Sequence, residues 1–238
     1  MRLLLLVLLV GCHPSDMDYP VGGGGTHGGG GTLLIDAATD GSATGPIIAT
    51  ACVLSDARDL TSCAMTGAAG LTVTLGGASA TTAADGSFTI ARPTTAGAVW
   101  DVTGSAAGVV ESVTAFTGQT KIPVMDIGTL TELQSINGHQ LVSGTGVVLA
   151  RVARGGMPVP GETAQLAPLA TYDPLYDPAT SSTPWATQAT GTRGTVFVDG
   201  VSPGTATMSF AAAGMTQLTI SAIPIADSVV TFVFAELP

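Results

Sequence analysis

Two tyrosines, two aspartates and a tryptophan crowd one stretch of this chain. Pro168 to Thr187 carries Tyr172, Asp173, Tyr176, Asp177 and Trp185, in a protein with only 3 Tyr and 2 Trp. Aromatic faces beside carboxylates suit a sugar, whose apolar faces the rings cover and whose hydroxyls the carboxylates accept. Calcium also favours carboxylate oxygens, but two Asp at this spacing do not make a site, and no calcium-loop pattern is present. The other reading is a loop that folds its rings down over the edge of a β-structure, because buried aromatics usually serve packing. A polar insertion of this length is uncommon in a compact domain and is often functional.

Other chemistry finds less material. There are 3 His; His13 and His27 flank or enter a glycine-rich segment, and His139 follows Asn137-Gly138 in a turn. A Ser–His–Asp triad would have to use His139, yet no Gly-x-Ser-x-Gly precedes a helical pattern. The plain reading is an exposed turn histidine. Zinc needs three or four clustered ligands, and none cluster, so no metal and no cofactor are implied. The chain reads as non-catalytic. Cys52 and Cys63 form a separate pair. In an exported chain such a pair points to a disulfide, with two separate buried thiols as the alternative.

Export is the reading of the N-terminus. Met1-Arg2 supplies a positive charge, Leu3 to Val10 are all apolar, and Gly11-Cys12 follows. The apolar run is far short of the about 20 residues that span a bilayer, and it fits a signal peptide over residues 1–11. Leu9-Val10-Gly11-Cys12 resembles the lipobox of bacterial lipoproteins. The resemblance implies a diacylglycerol on the Cys12 thiol, palmitate-type acylation and a lipid-anchored mature protein. His13, rather than Asp, follows the cysteine, which resembles an outer-membrane sorting signal. Two or three acyl chains anchor stably, at about 0.8 kcal/mol per buried CH₂. Residues 12–31 then read as a flexible tether, with Gly22–Gly25 and Gly28–Gly31 offering nothing to bury.

The remainder must be a β-protein. Leu71-Thr72-Val73-Thr74-Leu75 alternates apolar and polar, Ala84-Asp85-Gly86-Ser87 signals a hairpin turn, and Phe88-Thr89-Ile90 resumes the alternation. Val196-Phe197-Val198 runs into Asp199-Gly200, Pro203-Gly204 turns, and Val229 to Phe234 makes a last strand. No stretch carries a capped 3.6-residue period, so helices should be minor. The halves resemble each other. Gly86–Ile90 corresponds to Gly194–Val198, and Asp101–Gly108 to Thr207–Gly214. The expectation is all-β, two tandem immunoglobulin-like or transthyretin-like β-sandwiches, over residues 32–128 and 129–238.

Here the chain resembles a family. Thr82-Ala83-Ala84-Asp85-Gly86-Ser87-Phe88-Thr89-Ile90 is similar to the "T-x-x-D-G-x-F-x-I" hairpin of carboxypeptidase regulatory-like domains, which have a transthyretin-like, or prealbumin-like, sandwich. Gly200–Met208 resembles their "x-V-P-P-G-x-Y-x-L" segment, and Gly214 falls where their "A-x-G-Y" glycine would, with Ala206 and Met215 in place of the tyrosines. The resemblance implies a non-catalytic structural, adhesion or binding module. Some relatives of this carbohydrate-binding-like architecture hold sugar.

Charge narrows the partners. Lys+Arg is 7 against Asp+Glu 17, for a formal net charge of −10, and Lys121 is the only lysine. Nothing here could neutralise a run of phosphates, so nucleic acid is excluded as a partner. The expected partners are the membrane, through the anchor, and envelope proteins or polysaccharide. The first expectation is a lipid-anchored cell-envelope module at the outer membrane. The rival is a carbohydrate-binding lipoprotein using Tyr172, Asp173, Tyr176, Asp177 and Trp185.

Overall fold

The computed structural model describes residues 45–63, 68–104, 108–140, 142–178, 184–212 and 217–238. Cys12, the signal segment, the glycine tether, Gly214 and Met215 lie outside the described residues. All described residues fall in one compact unit. They form sixteen strands and one helix, so the protein is all-β.

The first half builds two facing sheets. β1 (Ile47–Val53) runs antiparallel to β4 (Ser87–Ile90) and parallel to β8 (Lys121–Asp126), whose other neighbour is β6 (Val109–Val110). Opposite them, β3 (Ala78–Thr81), β2 (Thr72–Leu75), β5 (Val99–Thr103) and β7 (Ser112–Ala115) pair in that order, all antiparallel. The alternation along β2 and β4 is what places Val73, Leu75, Phe88 and Ile90 in the core between the sheets. Trp100 sits at its centre, fully buried, edge-on to Phe88 and Phe116.

The second half repeats this pairing. β9 (Gly146–Arg154) runs antiparallel to β13 (Thr195–Val201) and parallel to β16 (Val230–Glu236), as β1 does to β4 and β8. β11 (Thr163–Ala167), β14 (Gly204–Ala211) and β15 (Leu218–Ile225) form a separate sheet and pair antiparallel in the same order as β2, β5 and β7. The repeat read from the sequence thus aligns β4 with β13 and β5 with β14. Short β10 (Met157–Pro158) and β12 (Leu175–Tyr176) extend the sheet at β9 and β13.

One strand stitches the halves. β16 also pairs in parallel with β7, through Val230–Ser112, Thr231–Val113 and Phe232–Thr114. The β3-β2-β5-β7 sheet of the first half therefore continues through β16 into the β9–β13 sheet of the second. The expected boundary at 128/129 falls inside α1 (Ile127–Ile136). Leu130 and Leu133 of this helix, with Leu54, Ala57 and Leu60, cover one face of the second half's sheet through Leu149, Phe197 and Phe232. Val148, Ala150 and Val198 face the other way, toward Met208 and Phe210. Covered on both faces, β9 and β13 read as nearly continuous apolar runs rather than as alternations.

Two expected turns differ from expectation. Gly86, at φ +80°, closes the 83–87 turn, with Asp85 Oδ1 accepting from the Ser87 amide at 2.9 Å. The strands on either side enter different sheets, so the turn is a sheet-to-sheet corner and not a hairpin. Asp199-Gly200 is not a turn either. β13 continues through it as a bulge, with Gly200 at φ +72°.

Candidate functional site

The aromatic and acidic loop does not assemble into an open platform. Tyr176 lies on β12, buried at 4% exposure, and its Oη accepts from the Ala164 amide at 2.9 Å. Burial pushes its phenol above the usual value, opposed by the Ala164 bond and assisted by the charge of Asp173. Asp177 is 1% exposed and accepts three amides, from Gly191 (3.0 Å), Arg193 (2.7 Å) and Thr195 (2.7 Å). A carboxylate so held acts as the rivet of the 191–195 turn. Gly191 packs so closely that an added Cβ would lie 2.4 Å from the carbonyl oxygens of Asp177 and Pro178. Trp185 is buried against Phe197, with the Arg58 guanidinium 5.8 Å from its ring centre. Only Tyr172, half-buried, and Asp173, exposed, line an open cleft. The expected five-residue set is therefore divided, with three members serving packing and hydrogen bonding.

Cys52 and Cys63 are joined as a disulfide, with Cα atoms 5.3 Å apart. Closing so short a loop contributes about 2–3 kcal/mol through loss of unfolded-chain entropy. The loop it closes reaches the second half. Arg193 Nη1 meets Asp56 Oδ2 at 3.3 Å and Asp59 Oδ2 at 3.2 Å. Thr195 Oγ1 donates to the Arg58 carbonyl. These ion pairs are partly exposed, so each is worth under about 1 kcal/mol. Their role is to register the loop over Trp185.

The more concentrated site is one where an exposed histidine was expected. His139 is not exposed; its side chain retains 9% of its accessible surface. The cause is local and begins with α1. Asp126 caps the helix by accepting from the Thr129 amide at 2.9 Å. Burial works against this carboxylate's charge, but the hydroxyl and amide of Thr129 win and hold it below the usual range. The helix then ends at Asn137 with Gly138 at φ +71°. The Gly138 amide bonds the Ser135 carbonyl (3.1 Å) and the His139 amide bonds the Gln134 carbonyl (2.9 Å), which is a Schellman motif. That motif sets residue 139 beside residue 134. An apolar contact usually joins the two; here both side chains turn to one buried carboxylate.

That carboxylate is Asp199, 1% exposed, at the β13 bulge. Gln134 Nε2 donates to its Oδ2 at 3.1 Å and the Gly200 amide to its Oδ1 at 2.8 Å. His139 Nδ1 stands 3.4 Å from Oδ2, an electrostatic approach longer than a well-formed hydrogen bond. The imidazole is stacked on Tyr172, with centroids 4.0 Å apart and planes 8° apart, and lies near-parallel to Phe197 at 5.8 Å. Tyr172 is fixed in turn, its Oη accepting from the Gln140 amide at 3.1 Å.

This cluster borders a cleft of about 570 Å³ between α1 and the 226–229 turn. Ser135 and Ser228 also line it. Neither hydrogen-bonds to His139; Ser228, at φ +61°, donates to Asp227 at 3.0 Å. The pair of nucleophile and base that acyl transfer requires is not formed here. Among the described residues no group of three or more His, Cys, Asp or Glu could hold a metal ion. None of their helices is long and apolar enough to cross a membrane.

Sequence reading missed Asp199, Gln134 and Phe197. A signal existed for Gln134 and His139. Leu130, Leu133 and Gln134 stand at helical spacing just before Asn137-Gly138, a helix stop. No local signal ties either residue to Asp199. No protein-family model matches the chain, and no curated protein matches its sequence.

Proposed function

We propose that the chain is a non-catalytic module of the bacterial cell envelope, anchored by acyl chains on Cys12 at the outer membrane, that serves a structural, adhesion or binding role. The observation that carries this reading is the repeated strand pairing of the two halves, locked together by β16. A continuous sheet buried on both faces makes a stiff scaffold, and its side chains are largely spent on packing. Its neighbours in the envelope would be proteins or polysaccharide. The carbohydrate reading retains Tyr172 and Asp173, which line a cleft of about 800 Å³.

The anchor is tested by feeding expressing cells an alkyne analogue of palmitate and comparing wild type with Cys12→Ser. The wild type should be labelled and partition with membranes, and the variant should lose both properties. Equal labelling of the two proteins, or none in the wild type, would refute the anchored reading.

A further inference from the structure

We propose that the cleft beside His139 is a small-molecule site for a neutral ligand with an apolar body and one hydroxyl or N–H donor. The proposal rests on the binding-module reading and names the chemistry of its ligand. Three observations on the same residues carry it.

The first is the orientation of the imidazole. Its Nδ1 is buried, has no hydrogen-bond partner, and faces the Asp199 carboxylate at 3.4 Å. A carboxylate on that side favours the proton on Nδ1. Nε2 is then the acceptor, on a ring that lines the cleft. The second is rigidity. The ring is stacked on Tyr172, and Asp199 is itself tied by Gln134 and Gly200. A group so fixed loses little freedom when a ligand arrives. The third is the wall of the cleft. Val110, Ile127, Leu130 and Val147 make it mostly apolar, and Ile127 keeps 62% of its surface in solvent. Among the described residues no Lys or Arg lines it, while Asp199 does. An anionic ligand is therefore rejected, and an apolar body with a single donor is accepted.

The test titrates the full mature protein with 2-naphthol, 2-methoxynaphthalene and 2-naphthoate, followed by ligand fluorescence. Wild type should bind 2-naphthol saturably at one site, about tenfold tighter than 2-methoxynaphthalene, the ratio one neutral hydrogen bond supports. 2-Naphthoate should bind no better than the methoxy compound. His139→Phe keeps a ring against Tyr172 but has no acceptor, so it should bind the two neutral naphthalenes alike. Absence of saturable 2-naphthol binding, equal affinity for the two in the wild type, or undiminished preference in His139→Phe would each overturn the proposal. If that variant does not fold, ring resonances decide. 2-Naphthol should shift those of one histidine of the wild type and leave the other two unmoved, and no shift would overturn the proposal. The outcome is independent of palmitate labelling, so the site and the anchor fail separately.

Discussion

The fifth strand of the first half sends Trp100 and Val102 into its core and then reaches Gly104. The matching strand of the second half sends Ala206, Met208 and finally Phe210. Both halves pair their strands alike, yet the large residue sits at opposite ends of the equivalent strand. At Gly104 an added Cβ would fall 2.3 Å from Leu71 Cδ2, so that buried side chain would have to shift. Pairing pattern and core filling are thus separable. The first is set by strand order and turns, whereas the second can be redistributed along a strand while total volume is kept. The connections diverge as well. The first half joins β3 to β4 by the short 83–87 turn, and the second carries a long excursion riveted by Asp177.

The comparison can be broken at its largest residue. Trp100→Ala should cost about 4 kcal/mol, because nothing in the first half replaces the ring that Phe88 and Phe116 pack against. Urea unfolding should show it as a lowered midpoint. A loss well under half of that would mean that the first core can collapse as a looser one would. Asp177→Ala tests the second half's own device. Three buried amides would lose their acceptor, and about 3 kcal/mol should go with it. Tryptophan emission would follow Asp177→Ala through both Trp100 and Trp185, whereas Trp100→Ala leaves Trp185 as its one reporter.

The smallest effect sharpens the contrast by pH. Burial raises Asp101 above the usual carboxylate range; burial first, and then the charge of Asp101, raise Glu111. Folded protein holds these protons more tightly than the unfolded chain does. Their contribution is therefore fully present below the unfolded value and is lost as pH rises through the raised folded one. Asp101→Asn should stabilise the protein modestly at about pH 7, and the gain should vanish near about pH 3. Matched urea midpoints at the two pH values check the sign. A gain that persists in acid would assign the effect to packing instead.

What the sequence disclosed follows from range. Strand alternation, the Asp85-Gly86 turn and the repeat are local patterns, so β2, β4, β13 and the correspondence of the two halves could be read from residues alone. The destination of Asp85-Gly86 could not, because whether a turn closes a hairpin or a corner depends on which strand waits beyond it. His139 shows the same limit at the site. Its helix stop is local, but Asp199 lies on a strand sixty residues away. The bulge that turns that carboxylate inward leaves no trace in composition. In the 168–187 loop, aromatic and acidic residue types suggested a surface. Tyr176 and Asp177 instead answered the needs of the Ala164 and Gly191 amides, and Trp185 packed on Phe197 while its own amide donated to the Asn137 side chain.

The β16 seam also bears on the order of assembly during synthesis. Residues 230–236 fill a gap between β7 and β9, so both neighbours are made long before their partner leaves the ribosome. Until then each presents an unpaired edge, the feature most prone to join a strand of another chain. Contacts this distant in sequence also close slowly. The strand that retires both hazards at once is made after both of the strands it joins.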